Sequence, residues 1–202
     1  MVSTVGRPKE HGEQTGDALL AAAERILESE GLHAVSIRRL ADEVGTTTRA
    51  VYSIFGSKEG LLVALAANAF HILREKVDGQ RLTNDPSADF AKVGLAFRSF
   101  ALEHPALFRL AVQRDLPDPA LYDQYAASAA KALDRLQARA QRFVESAGID
   151  ADHRVVAAQY HALCEGLAAL ELRRAIGPPK NAEKIWRGAL ATLVAGFVAQ
   201  AR

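Results

Sequence analysis

Between Ser36 and Gly45 the chain places Ile37, Leu40, Ala41 and Val44 at i, i+3, i+4 and i+7. That spacing lines one face of an α-helix and neither face of a strand. A serine hydroxyl accepts from the free amides at a helix start, and glycine takes the left-handed residue that ends one. The stretch therefore predicts a short helix with both ends marked, and a second follows at once. A helix starting near Thr47 carries Val51, Ile54 and Phe55 on one face. Two such helices joined by a tight glycine-containing turn form a helix-turn-helix pattern.

The surrounding segments are helical as well. Leu19, Ala23, Ile26 and Leu27 recur at helical spacing between Gly16 and Glu30, and Gly31 closes the run. Ser57 caps a longer helix from Lys58 to about Gln80, with Leu62, Leu65, Ala69 and Leu73 inward. The polar start, residues 1–15, lacks periodicity and reads as a flexible arm ahead of a helix-turn-helix domain over residues 16–80. "GQRLTNDPSAD", Gly79 to Asp89, is rich in turn formers and charge and marks a boundary. Residues 81–202 read as a second helical domain that dimerises, with helices near Asp89–Glu103, Pro105–Gln113, Pro119–Ala147, Ala151–Ile176 and Asn181–Ala201. Hydrophobic residues make up 49% of the chain, rich in Ala and Leu with few β-branched runs, so the class is all-α. The last two helices are apolar on more than one face, as helices buried on two sides are. Val156, Leu163, Leu167 and Leu170 on one, and Trp186, Leu190, Leu193 and Phe197 on the other, are the expected subunit interface.

Bulk charge says little, since the 202 residues carry a net +1. Its placement says more. Arg38 and Arg39 follow Ser36, Arg49 follows Thr47, and Lys58 follows Ser57, so three helix starts carry cations. Cations oppose the helix macrodipole there, by a few tenths to about 1 kcal/mol each, unless an anion such as phosphate lies opposite. Residues 36–58 hold four basic and two acidic side chains, a local +2, whereas residues 1–80 hold nine and eleven, a net −2. Acidic residues such as Glu24 and Glu28 should then face elsewhere. With Val51, Ile54 and Phe55 inward, the opposite face of the third helix shows Thr48, Arg49, Tyr52 and Ser53, with Ala50 at its edge. A helix of this size enters a major groove N-terminus first. Arg49 suits guanine O6 and N7, Thr48 or Ala50 a thymine methyl, and Tyr52 and Lys58 the backbone. For Tyr52 the alternative is a half-buried aromatic packed on the helix pair. "GRPK", Gly6 to Lys9, adds a weak signal for minor-groove or phosphate contact.

"SIRRLADEVGTTTRAVYSIFGSKEGLL", Ser36 to Leu62, resembles the DNA-binding signature of the TetR (tetracycline-repressor-like) family of bacterial regulators. The matching features are Ala41 and Gly45, then Tyr52, Phe55, Lys58 and Leu61–Leu62. The resemblance implies an all-α homodimer whose recognition helices reach successive major grooves of a palindromic operator. It implies DNA contacts at Arg38, Thr47, Thr48, Arg49, Ala50, Tyr52, Ser53 and Lys58. Ile54 departs from the pattern, because many members have a His or Tyr there that touches phosphate. "FALEHPALFRL", Phe100 to Leu110, and the region of Gly166 resemble one of the family's C-terminal subgroups.

A regulatory domain needs an apolar pocket with a few converging polar groups. Phe97, Phe100, His104, Phe108, Tyr122, Tyr125, Tyr160, His161 and Cys164 are the candidates, against ordinary core packing. The expected effector is an apolar small molecule. His161 and Glu165 stand at i and i+4, but two ligands make no closed metal site. The single cysteine, Cys164, is flanked by apolar residues as an inert buried thiol is. No nucleophile motif, phosphate loop or carboxylate pair points to catalysis, so no cofactor is expected. The chain opens without a signal pattern and holds no apolar run of about 20 residues, which points to the cytoplasm and away from a membrane. The reading is a ligand-responsive repressor. Its rival is a helical dimer that acts through protein partners.

Overall fold

Helix follows helix through the computed structural model, which describes the backbone of residues 7–112 and 122–200 and the side chains of residues 12–112 and 125–200. The elements are α1 (Arg7–Glu30), α2 (Ile37–Val44), α3 (Thr48–Phe55), α4 (Lys58–Asp78), α5 (Pro86–Glu103), α6 (Pro105–Leu107), α7 (Tyr122–Ala147), α8 (His153–Leu172) and α9 (Pro179–Gln200). A 3-10 turn, Leu32–Ala34, links α1 to α2, and a π-turn, Phe108–Val112, continues α6. No strand occurs among the described residues.

The caps lie where the sequence places them. Ser36 accepts from Arg39 N–H, Thr47 from Ala50 N–H and Ser57 from Gly60 N–H. Gly45 closes α2 at φ 71°, in the left-handed region. Two boundaries differ from expectation. α1 begins at Arg7, so residues 7–15 are helical in place of the expected arm. Helical propensity of the polar run, extended from a strongly apolar segment, outweighs its lack of periodicity. The "GRPK" side chains lie outside the described residues. The expected helix from Pro105 to Gln113 is one short turn followed by the π-turn.

α1 to α4 form the head. Leu19, Ile26, Leu40, Val51, Leu61 and Leu65 meet in its core. α4 then runs on into the second part and packs on α5 and α7. The core there is aromatic: Phe90 stacks on Phe143 at 5.2 Å and meets Tyr160 at 4.2 Å. Tyr160 donates to Phe90 C=O at 2.6 Å and accepts from Gly94 N–H at 2.8 Å, so its hydroxyl sits on one rung of the α5 ladder. Glu171 joins three helices, accepting both arms of the Arg98 fork (2.9 and 2.7 Å) and Trp186 Nε1–H at 2.7 Å.

The residues of the expected interface pack mostly within the chain. Trp186, Leu190 and Val156 are almost wholly buried in it, while Leu167 and Phe197 keep a small exposed edge. Leu163 and Leu193 are partly buried and Leu170 is exposed. The outward stripes are instead Val155, Ala158, Ala162, Gly166 and Leu170 on α8, and Gly188, Ala191, Ala195 and Ala199 on α9.

Candidate functional site

α3 presents its first turn and one long face to solvent. Thr47, Thr48, Arg49 and Ser53 are exposed, Ala50 is half-buried at the edge, and Val51 is fully inward. Tyr52 is 51% exposed, so about half of its surface faces solvent. Thr47 Oγ accepts Ala50 N–H at 3.1 Å, which leaves the hydroxyl proton of Thr47 free to donate outward. Arg38 is exposed on α2 and Lys58 half-buried at the start of α4. Among the described residues no carboxylate pairs with Arg38, Arg49 or Lys58.

Two side chains depart from the expected face. Arg39 makes an exposed forked pair with Glu30 on the surface, at 2.7 and 2.5 Å, and so is spoken for within the head. Ile54, expected in the core, is 38% exposed and lies beside α1, where a Cβ on Gly16 would sit 3.6 Å from its Cγ2. α3 is too short to turn three apolar positions fully inward, and Val51 takes the centre. Glu24 and Glu28 point toward the second part of the molecule. Glu24 Oε1 lies 2.7 Å from His104 Nδ1, and Glu28 accepts the amides of Ala106 and Leu107 at 2.9 Å.

The second part contains a cavity of about 320 Å³. α4 supplies Phe70, Leu73, Arg74 and Val77; α5 supplies Val93 and Phe97; α7 supplies Tyr125, Ala129, Leu133 and Leu136; α8 supplies Tyr160, His161 and Cys164. Burial pushes the Cys164 thiol up to about 12 and raises the Tyr160 phenol, so both stay protonated. Burial lowers His161, with the Glu165 charge opposing it, so the imidazole is held neutral. Phe100 and Phe108 are fully buried but stand off the cavity surface; Phe108 backs Phe97 edge-on at 5.9 Å. His104 is taken up by Glu24, away from the cavity. The Tyr122 side chain lies outside the described residues. Sequence reasoning misses the α4 wall, although Phe70, Leu73 and Val77 share one helical face.

Family profiles cover both parts of this architecture. "Bacterial regulatory proteins, tetR family" matches residues 19–65, and "Tetracyclin repressor-like, C-terminal domain" matches residues 90–193, which is half of the chain. The chain belongs to the TetR family. Among curated relatives this TetR-family chain is similar to the HTH-type transcriptional regulator Rv1816 of Mycobacterium tuberculosis, at 28% identity over 116 residues. That match covers 56% of the chain and 50% of the relative, so the chain spans about half the length of the curated relatives it matches. A solved protein of unknown function from Rhodococcus sp. RHA1 is 27% identical, with a TM-score of 0.78 over 96% of this chain and 100% of that one. The TetR family regulator PfmR of Thermus thermophilus shares the fold at a TM-score of 0.64 and 22% identity, over 88% of this chain and 97% of its own. The family is one of transcriptional regulators, not of enzymes. No single helix among the described residues is long and apolar enough to cross a membrane.

Proposed function

We propose that this TetR-family chain is a cytoplasmic, one-component transcription regulator that represses by binding a palindromic operator as a homodimer and is released by an apolar small molecule. The observation that carries the reading is the group of cations Arg38, Arg49 and Lys58, which have no carboxylate partner among the described residues, around the exposed start of α3. Arg49 reads a guanine edge, and Thr48 and Ala50 meet a thymine methyl. Arg38, Thr47, Tyr52, Ser53 and Lys58 hold the phosphate backbone and set the register. The small-residue stripes of α8 and α9 support a two-fold interface, since Gly166, Gly188, Ala191 and Ala195 let two backbones approach closely. α4 links the two activities: Lys58 lies at its start and Arg74 on the cavity wall, about 24 Å along one helix at 1.5 Å per residue. An effector that fits one position of α4 better than the other shifts the heads out of groove spacing.

Substitution tests the head directly. Arg49→Ala is expected to relax sequence preference, at about 1–3 kcal/mol for a two-pronged base contact. Lys58→Ala is expected to weaken binding to every sequence and reduce the salt slope by about one. Parent-like binding by both variants contradicts the assignment of this face.

A further inference from the structure

The cavity walls are mostly apolar, and the described lining carries a single fixed charge. Arg74 is the one permanently charged residue among its described lining, and no acidic residue joins it there. The Arg74 guanidinium has one polar partner among the described residues: Nη2 lies 2.9 Å from His71 Nδ1. Arginine only donates, so Nδ1 accepts and the ring proton belongs on Nε2, 3.3 Å from Glu75 Oε1. His71 thus steadies the guanidinium from one side. Four of its five N–H groups remain for other partners, in a planar fork. Of the nearby cations, Lys76 is matched by Glu103 at 2.7 Å and Arg135 by Asp78 at 3.5 Å, and Arg139 donates to Val77 C=O at 3.0 Å. Among the described residues no carboxylate matches Arg74.

We propose that the cavity takes a monoanionic carboxylate with an apolar body, its head in the Arg74 fork and its body against Phe70, Phe97 and Leu136. The proposal rests on reading this cavity as the effector site, and it names the chemical class that site selects. A carboxylate fits a planar guanidinium through two parallel hydrogen bonds. A phosphate dianion calls for a second cation, which the described lining lacks. A cationic ligand meets Arg74 with no acid among the described lining to offset it. At about 320 Å³ the space lies at the small end of ligand pockets, suited to a short-chain or single-ring acid.

The test titrates the full chain with octanoate and, separately, with 1-octanol by calorimetry, in the parent, Arg74→Met and Arg74→Lys. The parent is expected to favour octanoate by about tenfold or more, as for a hydrogen bond to a charged group. Arg74→Met keeps an apolar stem, and it is expected to erase that preference by weakening octanoate far more than 1-octanol. Arg74→Lys keeps the charge without the fork and should retain only part of the preference. Equal binding of acid and alcohol by the parent, or a preference that survives in Arg74→Met, overturns the carboxylate assignment and leaves the apolar site standing. Binding of neither compound overturns both the assignment and the effector-site reading. A thermal melt of each variant separates loss of the anchor from loss of the fold.

Discussion

Gly60 is the position where the geometry of the reading head is most exposed to a single added atom. It is the third residue of α4, and its N–H donates to the Ser57 cap at 3.0 Å. A Cβ built there would lie 2.0 Å from the Phe55 carbonyl oxygen, and Cβ contacts under 3.0 Å essentially never occur. About 1 Å must therefore be found between the end of α3 and the start of α4. The obstacle is backbone, and Phe55 C=O is itself fixed by Ser57 N–H at 2.9 Å, so no rotamer change relieves it. Overpacking costs about 1–3 kcal/mol where side chains can give way, and a backbone clash belongs at the upper end. Removing a helical glycine returns only about 0.5–1 kcal/mol. Gly60→Ala is thus expected to lose about 2 kcal/mol in urea denaturation followed by circular dichroism. It is also expected to lose DNA affinity, because α3 moves relative to α4. Gly12→Ala is the paired control: nothing lies within 4 Å of its Cβ, so the same change in α1 should stabilise by about 0.5–1 kcal/mol. A Gly60→Ala variant as stable as the parent, with unchanged DNA binding, refutes the claim that this contact sets the head.

Polar contacts carry the remaining predictions. Glu28→Ala removes the acceptor for two amides at the start of α6 and should cost about 1–3 kcal/mol, read in the same denaturation assay. His161 has a folded pKa below its unfolded value, so its contribution to stability is complete above about pH 6.5 and is lost as pH falls toward the folded pKa. Thermal melts should show that loss, and His161→Phe should flatten it. Glu165→Gln removes the charge that raises His161 and should lower its titration further, measured by its ring proton in NMR. Asp89 is 4% exposed and accepts from Thr83 N–H, Thr83 Oγ–H and Arg142, and these bonds, the Thr83 amide first, hold it well below the ordinary carboxylate range. Its contribution is present above about pH 4 and lost as pH falls, so Asp89→Asn should lower the melting temperature at pH 7 and less so in acid.

Much of the head is legible in the sequence because short-range rules govern it. Ser36, Gly45, Thr47 and Ser57 act within one turn of their own positions, and the caps follow from residue type. Ile54 and Arg39 escape the pattern for one reason: their surroundings come from α1, at a distance no periodicity conveys. The apolar faces of α8 and α9 are visible, but not which neighbour covers each. Trp186 and Leu190 meet α5 and α8 inside the chain, while the glycines and alanines that face outward carry too little hydrophobicity to stand out. The cavity shows the same limit. Phe97, Tyr125, Tyr160, His161 and Cys164 lie on helices whose apolarity marks them as candidates. The wall from α4 reads as part of the head, since the sequence boundary falls after that helix and hides its second contact surface.

DNA binding by this TetR-family chain is the claim on which the account depends, and fluorescence anisotropy measures it most directly. The duplex is the DNA flanking its own gene, set beside a scrambled duplex of equal length, across a salt series. The account predicts a tight preference for the native fragment, with affinity falling steeply as salt rises because cations on the head displace counterions from phosphate. Equal, weak and salt-insensitive binding to both duplexes would contradict it.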